Sequence, residues 1–398
     1  MKQNKTLLSY MKSLVLCCSL LALTTAEWAQ QASTPVSGTA SLGEPCGQCR
    51  QIDAMVSGEF RRSPMGSLTV GVVSGDKLVW TKSYGNAEAK ISLTANQDTV
   101  YRVGSITKMF TATMLEQLVE AGKVKLSDPV EKYFPEINTV PKKYKDAPPI
   151  TLLQLATHTS GLSREPDHTA TYVTGEPEAW KESLIAALPH VHYESEPGKR
   201  YSYSNIGYAV LGAALEQAAG QPYLEYLPQH IFIPLGMTHT SLVLTPEVQS
   251  HLAKGFQMNL VGSLSSAESD LENRTGRGYK VPNGAIYTTV GDMAKFASFL
   301  MGKGPADVLA PSGLLRYQNQ YVVPTGEPAV GGYGLGIMFI REGRYIAAGH
   351  NGAVNGFSAA LYMNREAGVA VMVLSSAIGK GAVNVDELAL RALDALSK

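Results

Sequence analysis

Between residues 105 and 121 the apolar positions Ile106, Met109, Phe110, Ala112, Met114, Leu115, Leu118 and Val119 recur around most of a helical circumference. A helix that is apolar on nearly every side belongs inside a protein. Ahead of it, SLTVGVVSGDKLVWTKSYG holds two β-rich runs split by Ser74-Gly75-Asp76, the pattern of a hairpin. Residues 50–60 suggest a short helix. After residue 330 strand patterns return in GGYGLGIMFI, read as one glycine-thinned strand, and in RYIAAGH, GFSAALYMN and GVAVMVLSS. Glycine and asparagine turns between these runs suit an antiparallel meander, and 382–397 reads as an amphipathic closing helix.

From 128 to 280 prolines are frequent, strand patterns are sparse, and short helical stretches such as 205–219 lie between the breaks. The pattern therefore predicts an α/β (α+β) architecture: an antiparallel sheet flanked by helices, built from 49–127 and 281–398, with a mostly helical part at 128–280. A cleft between the two parts is where a ligand is expected.

The first residues read differently. Lys2, Lys5 and Lys12 precede the apolar run SLVLCCSLLAL, and small residues near Ala26 and Ala29 offer cleavage points, so 1–29 is expected to be an export signal. The run is short of the roughly 20 residues that span a bilayer. Lipidation at Cys17 is disfavoured by the bulky Leu16. Residues 30–48 read as a flexible lead-in, and the folded domain as 49–395. The expected location is periplasmic or secreted. Removal of the leader leaves Cys46 and Cys49, which either close a small disulfide or stand as spectator thiols. A thioredoxin-like redox role lacks the βαβ context it needs.

Composition narrows the function. The chain of 398 residues is 44% hydrophobic and 17% charged, with 34 basic and 34 acidic side chains, and no basic stretch interleaves with aromatics. A folded globular protein follows, and nucleic acid is excluded as an expected partner. His190-Val191-His192 lacks a third ligand, so neither a metal nor another cofactor is expected. There is no G-x-S-x-G elbow.

Three short motifs carry the candidate chemistry. In RVGSITKMF, Ser105 and Lys108 are three apart, a spacing that puts them on one helical face, about 5–6 Å apart at the β-carbons. A buried helix start stabilises a serine alkoxide through its dipole and disfavours a protonated lysine. In EPGKRYSYSNIGYAVLG, Tyr203 and Asn205 stand just before a helix. The phenol suits proton relay and the amide suits holding a substrate amide; Tyr201 is a rival without an asparagine two places on. In AGHNGAVNGFSAAL, His350-Asn351-Gly352 is expected to end one strand and lead into the next. Gly352 lets a substrate backbone lie close, and the Ala353 amide can pair with that of Ser105 as an oxyanion hole.

The motifs follow one another at intervals of 98 and 147 residues. With LLQLATHTSGL, PGKRYSYSNIGY and NGAIYTTVGDMAKFASFLM, they make the chain from about 50 to 395 resemble the penicillin-recognising serine hydrolases. Within these it looks most like the branch of class C β-lactamases, D-alanyl-D-alanine carboxypeptidases, D-aminopeptidases and β-lactamase-like esterases. The resemblance implies a β-lactamase/transpeptidase-like fold, with Ser105 as nucleophile, Lys108 as its base and Tyr203 as proton relay. It also implies substrate contacts from Asn205, His350, Asn351 and Gly352. The implied reaction is cleavage of a small-molecule or peptide amide or ester through an acyl-enzyme.

Two alternatives share the motifs: a penicillin- or peptidoglycan-binding module that acylates with little turnover, and a non-catalytic scaffold. Position 350 departs from the Lys-Thr-Gly of typical β-lactamases. A histidine there, with an ordinary pKa of ~6.5, is expected to lose its grip on substrate carboxylates between about pH 5.5 and 7.5. No counterpart of the class A deacylating glutamate is identified, and His158 is expected to be structural.

Overall fold

The computed structural model describes residues 47–88, 93–258, 263–319, 321–326 and 330–398. The expected leader, nearly all of the lead-in and Cys46 lie outside the described residues. Cys49, by contrast, is buried and disulfide-bonded.

Nine strands of the described chain form one antiparallel sheet: β1 (Ser67–Ser74), β2 (Lys77–Glu88), β3 (Leu93–Thr94), β4 (Val323–Pro324), β5 (Gly332–Tyr333), β6 (Met338–Glu342), β7 (Tyr345–Val354), β8 (Phe357–Asn364) and β9 (Val369–Ser375). Their spatial order is β3-β2-β1-β9-β8-β7-β6-β5-β4, so the C-terminal meander joins the N-terminal hairpin where β1 pairs with β9. The β9 sequence VAVMVLS is apolar at almost every position because both of its faces are covered. Val369, Val371 and Val373 face one layer; Ala370, Met372 and Leu374 face the other.

The first layer is made by α1 (Cys49–Arg62), through Ile52, Val56 and Phe60, and by α5 (Val385–Leu396), through Leu388, Ala389, Ala392 and Leu393. The second layer includes α2 (Thr107–Glu120), α3 (Asn205–Ala219) and α4 (Val290–Leu300). Phe110 of α2 stacks on Phe296 of α4 with ring centroids 3.8 Å apart. Side chains of this size each contribute roughly 1.5–3 kcal/mol on burial. In α2 every residue from Thr107 to Glu116 is buried, as the apolar circumference predicts.

Two expected strands need correction. GGYGLGIMFI is a hairpin, not one strand: β5 and β6 are joined by a turn in which the Gly334 amide bonds the Ile337 carbonyl. Gly336 there has φ +71°, and a β-carbon on it would meet the Lys108 carbonyl at 2.7 Å, so this turn packs onto the start of α2. His350-Asn351-Gly352 lies within β7, which runs on to Val354; the turn to β8 falls at Asn355-Gly356. Both errors arise because glycines that serve tertiary approach resemble glycines that serve turns. Among the described residues no helix is long and apolar enough to cross a membrane.

Candidate active site

Ser105 sits in a single 3-10 turn, Gly104–Ile106, that leads directly into α2. One turn on, Lys108 is fully buried. Its Nζ lies 3.0 Å from Ser105 Oγ, and donates to Asn205 Oδ1 at 2.8 Å and to the Asn283 carbonyl at 3.2 Å. It also rests over the rings of Tyr203 and Tyr208, at 4.9 and 5.5 Å. Burial drives its pKa well below the ordinary lysine value; Glu165 opposes this, and Arg164, Lys280 and Arg277 add to it. A buried amine among cations, with one carboxylate nearby, is held toward its neutral, basic form.

Tyr203 moves the other way. Burial raises its pKa to about 12, against the lowering effects of a hydrogen bond with Ser105 and of the Arg164 guanidinium, which stacks 4.8 Å from its ring. At neutral pH the phenol therefore keeps its proton, and the amine is the stronger candidate base. The Tyr203 loop is braced by His158, whose Nδ1 accepts from the Ser204 amide at 3.1 Å and whose ring lies 4.1 Å from that of Tyr203. His158 adopts φ +57°, a left-handed conformation costly for a side chain of this kind. It contributes structure, as the sequence suggests, but its local strain has no sequence signal. Ser204 caps α3 by accepting from the Gly207 amide at 2.9 Å.

Asn205 is nearly buried, and protein groups engage both ends of its side chain: Lys108 on Oδ1, and Glu165 Oε1, 2.8 Å from Nδ2. Glu165 also accepts from Lys280 Nζ at 3.0 Å and from the Tyr279 hydroxyl. Sequence reading missed Glu165. It follows LATHTSGLSR with no periodic or spacing feature to mark it, and its partners come from distant segments.

The opposite wall is β7. The Gly104 and Ala353 backbones touch: a β-carbon at 104 would lie 2.7 Å from the Ala353 nitrogen, and one at 352 would lie 2.9 Å from the Ser105 nitrogen and 1.9 Å from the Val103 carbonyl. Glycine at both positions lets the Gly104–Ser105 backbone and the Gly352–Ala353 backbone approach closely, as a pair of backbone donors at one site would need.

His350 is also on this wall, but it is fully buried. Its Nδ1 faces the Asn351 carbonyl, and its Nε2 lies 3.0 Å from the Tyr333 hydroxyl. A carbonyl only accepts, so Nδ1 carries the proton and Nε2 accepts from Tyr333. Burial and the Lys108 charge lower its pKa to about 3, despite the bond to Asn351. The expected loss of imidazolium between pH 5.5 and 7.5 is thus corrected: the ring is already neutral there.

Asn351 is also corrected. Successive strand residues point to opposite faces, and its Nδ2 donates to Asp386 Oδ2 of α5 at 2.8 Å, behind the sheet. Its side chain is not part of the cleft. Among the described residues there is no cluster of three or more histidine, cysteine or carboxylate side chains suited to a metal.

Known proteins resemble this chain in sequence and in fold. A family model described as Beta-lactamase matches residues 52–395. The D-alanyl-D-alanine-carboxypeptidase/endopeptidase AmpH of Escherichia coli strain K12 is 29% identical over 325 residues, covering 78% of this chain and 79% of AmpH. The putative penicillin-binding protein PbpX of Bacillus subtilis strain 168 is 29% identical over 314 residues, covering 79% of this chain and 71% of PbpX. In fold, the D-amino acid amidase of Ochrobactrum anthropi SV3 superposes with a TM-score of 0.73 at 22% identity, over 87% of this chain and 98% of the amidase.

Proposed function

Because this chain belongs to the β-lactamase family, whose members named above support a serine hydrolase kind of activity, we propose that it is an exported hydrolase cleaving amides or esters through an acyl-enzyme on Ser105. The observation that carries the reading is the environment of the Lys108 amine. A neutral amine has two N–H donors and one lone pair. Asn205 Oδ1 and the Asn283 carbonyl accept the two protons, which leaves the lone pair for the third neighbour, the Ser105 hydroxyl at 3.0 Å.

In the first step Lys108 takes the hydroxyl proton as Oγ attacks the substrate carbonyl. The developing oxyanion is held by the Ser105 and Ala353 amides. Tyr203, protonated at neutral pH, passes its proton to the leaving nitrogen or oxygen and regains one from the Lys108 ammonium, so both groups return to their starting forms. Water then releases the acid and restores Ser105. The strand edge at Gly352 receives the substrate backbone, and Asn205 has one N–H left for a substrate amide. The lysine-led apolar run at the N-terminus supports an exported location. The names of AmpH and PbpX make D-alanyl peptides and β-lactams the first substrates to try, with esters beside them.

The test is Ser105→Ala assayed on nitrocefin, a p-nitrophenyl ester and a D-Ala-D-Ala peptide. Loss of the nucleophile is expected to leave only binding and oxyanion terms, on the order of 10³–10⁴ over water. Undiminished turnover of whichever substrate the wild type uses would falsify the assignment. A second reading, acylation with little turnover, is favoured by the engagement of both Glu165 oxygens, which ties up a carboxylate near the site and keeps it from activating water. A fluorescent penicillin separates the two: a label that persists supports the slow acylator, and one that is shed over many turnovers supports the hydrolase.

A further inference from the structure

We propose that Glu165 is a positioning residue: by holding Asn205 Nδ2 it turns the Asn205 oxygen toward Lys108, and so keeps the lysine lone pair directed at Ser105. The inference rests on the reading of Ser105 and Lys108 as nucleophile and base. An asparagine amide can face its neighbours in either of two orientations that differ little in shape. What selects one is whether each neighbour donates or accepts. An ionised carboxylate only accepts, so Glu165 Oε1, 2.8 Å from the amide nitrogen, admits a single orientation.

Glu165 is itself built to stay ionised. Burial pushes its carboxyl up, but the Lys280 charge and hydrogen bonds from Tyr279, Asn205 and Lys280 more than reverse this, and its pKa falls below the ordinary value. Lys280, Glu165, Asn205, Lys108 and Ser105 thus form a continuous chain of polar contacts of 3.0, 2.8, 2.8 and 3.0 Å.

If the amide turned over, Nδ2–H would face Lys108 and donate to its lone pair. The amine would then compete with itself: the electron pair needed to deprotonate Ser105 would be occupied by a hydrogen bond. A tertiary contact some distance from the reacting atoms therefore decides the direction in which the base points. The charged and titratable groups around this chain are Arg164, Arg277, Lys280, His158 and His350, together with the phenols of Tyr203, Tyr208 and Tyr279. Glu165 is the anion that offsets the cations acting on Lys108.

The experiment compares wild type, Glu165→Gln and Glu165→Asp on an ester that the wild type turns over, with kcat/KM measured from pH 4 to 10 and Tm measured in parallel. In Glu165→Gln the side chain is neutral, so it holds Lys280 and the Asn205 amide only weakly at the shared Oε1 position; the Asn205 orientation is loosened, and Lys108 loses the nearby negative charge. Both changes disfavour the ammonium. The Glu165→Gln plateau is expected to fall about tenfold or more, part of the roughly 10²–10⁴ that a general base supplies, while its acidic limb moves to lower pH. Glu165→Asp keeps an ionised acceptor and is expected to recover part of the plateau, with the limb near its wild-type position.

A Glu165→Gln limb that stays in place, a loss that follows Tm alone, or a Glu165→Asp plateau no higher than that of Glu165→Gln would overturn the inference. Wild-type turnover that does not depend on Ser105 would instead defeat the underlying hydrolase reading, an outcome visible before any Glu165 variant is made.

Discussion

The two walls of the cleft are made of different materials. On the helix wall, Ser105, Lys108, Tyr203 and Asn205 exchange hydrogen bonds through side chains, and burial moves the amine and the phenol in opposite directions. On the strand wall, the side chains are withdrawn: His350 is buried and neutral, and Asn351 is tied behind the sheet to Asp386. What remains is backbone, brought close by glycine at 104 and 352. In the proposed mechanism one wall works by protonation, the other by shape and fixed dipoles. Substitutions on the first should move pH profiles; those on the second should change rates without moving them.

The largest effect is expected from Lys108→Met, which fills the buried site without a polar group. It should lower kcat/KM by about 10²–10⁴ and abolish the acidic limb, as a pH–rate series would show. Gly352→Ala comes next. Its β-carbon would sit 1.9 Å from the Val103 carbonyl, so the strand must move away from Ser105. A loss of about 10²–10³ in kcat is expected, with an unshifted pH profile. A shifted profile would mean that the strand wall also controls protonation, and the contrast between the walls would fail.

The third prediction concerns His350. Its folded pKa is about 3 and its unfolded value ~6.5. Between these the unfolded state binds a proton that the folded state does not, so stability falls as pH drops below 6.5 and continues to fall toward 3. The penalty reaches at most about 1.4 kcal/mol per pH unit. His350→Asn should therefore lose less Tm than wild type between pH 7 and 4.5. In the same range above pH 5.5, the ratio of KM for a carboxylate-bearing ester to KM for a neutral one should stay flat, because no imidazolium is being lost. The smallest effect is expected from Asn351→Ala: about 1 kcal/mol of stability from the lost bond to Asp386, and little change in KM. A large rise in KM would return Asn351 to the cleft.

The helix wall was easier to read from sequence than the strand wall, for a physical reason. Ser105 and Lys108 are related by one helical turn, and the buried character of α2 is written in its apolar circumference. The 205–219 helix, with its preceding serine, is equally local, and both structures form where the pattern predicts. On the strand wall, the meaning of a residue depends on register and on what lies across the sheet. His350 has the same local sequence whether it ends a strand or lies within one, and its burial is set by Tyr333 and Tyr203 from elsewhere in the chain. The direction of Asn351 follows from a helix that begins at Val385. Glu165 was invisible for the same reason: the groups that give it a role, Asn205, Tyr279 and Lys280, meet it only after folding.

The central claim is tested most directly by locating the covalent intermediate. Wild-type protein mixed with a turned-over ester or a penicillin, quenched in acid during turnover and mapped by peptide mass spectrometry, is predicted to carry the acyl group on the Ser105 hydroxyl. Lys108→Met protein is predicted to acquire it far more slowly. An acyl group on another residue, or equal labelling of the two proteins, would contradict the account.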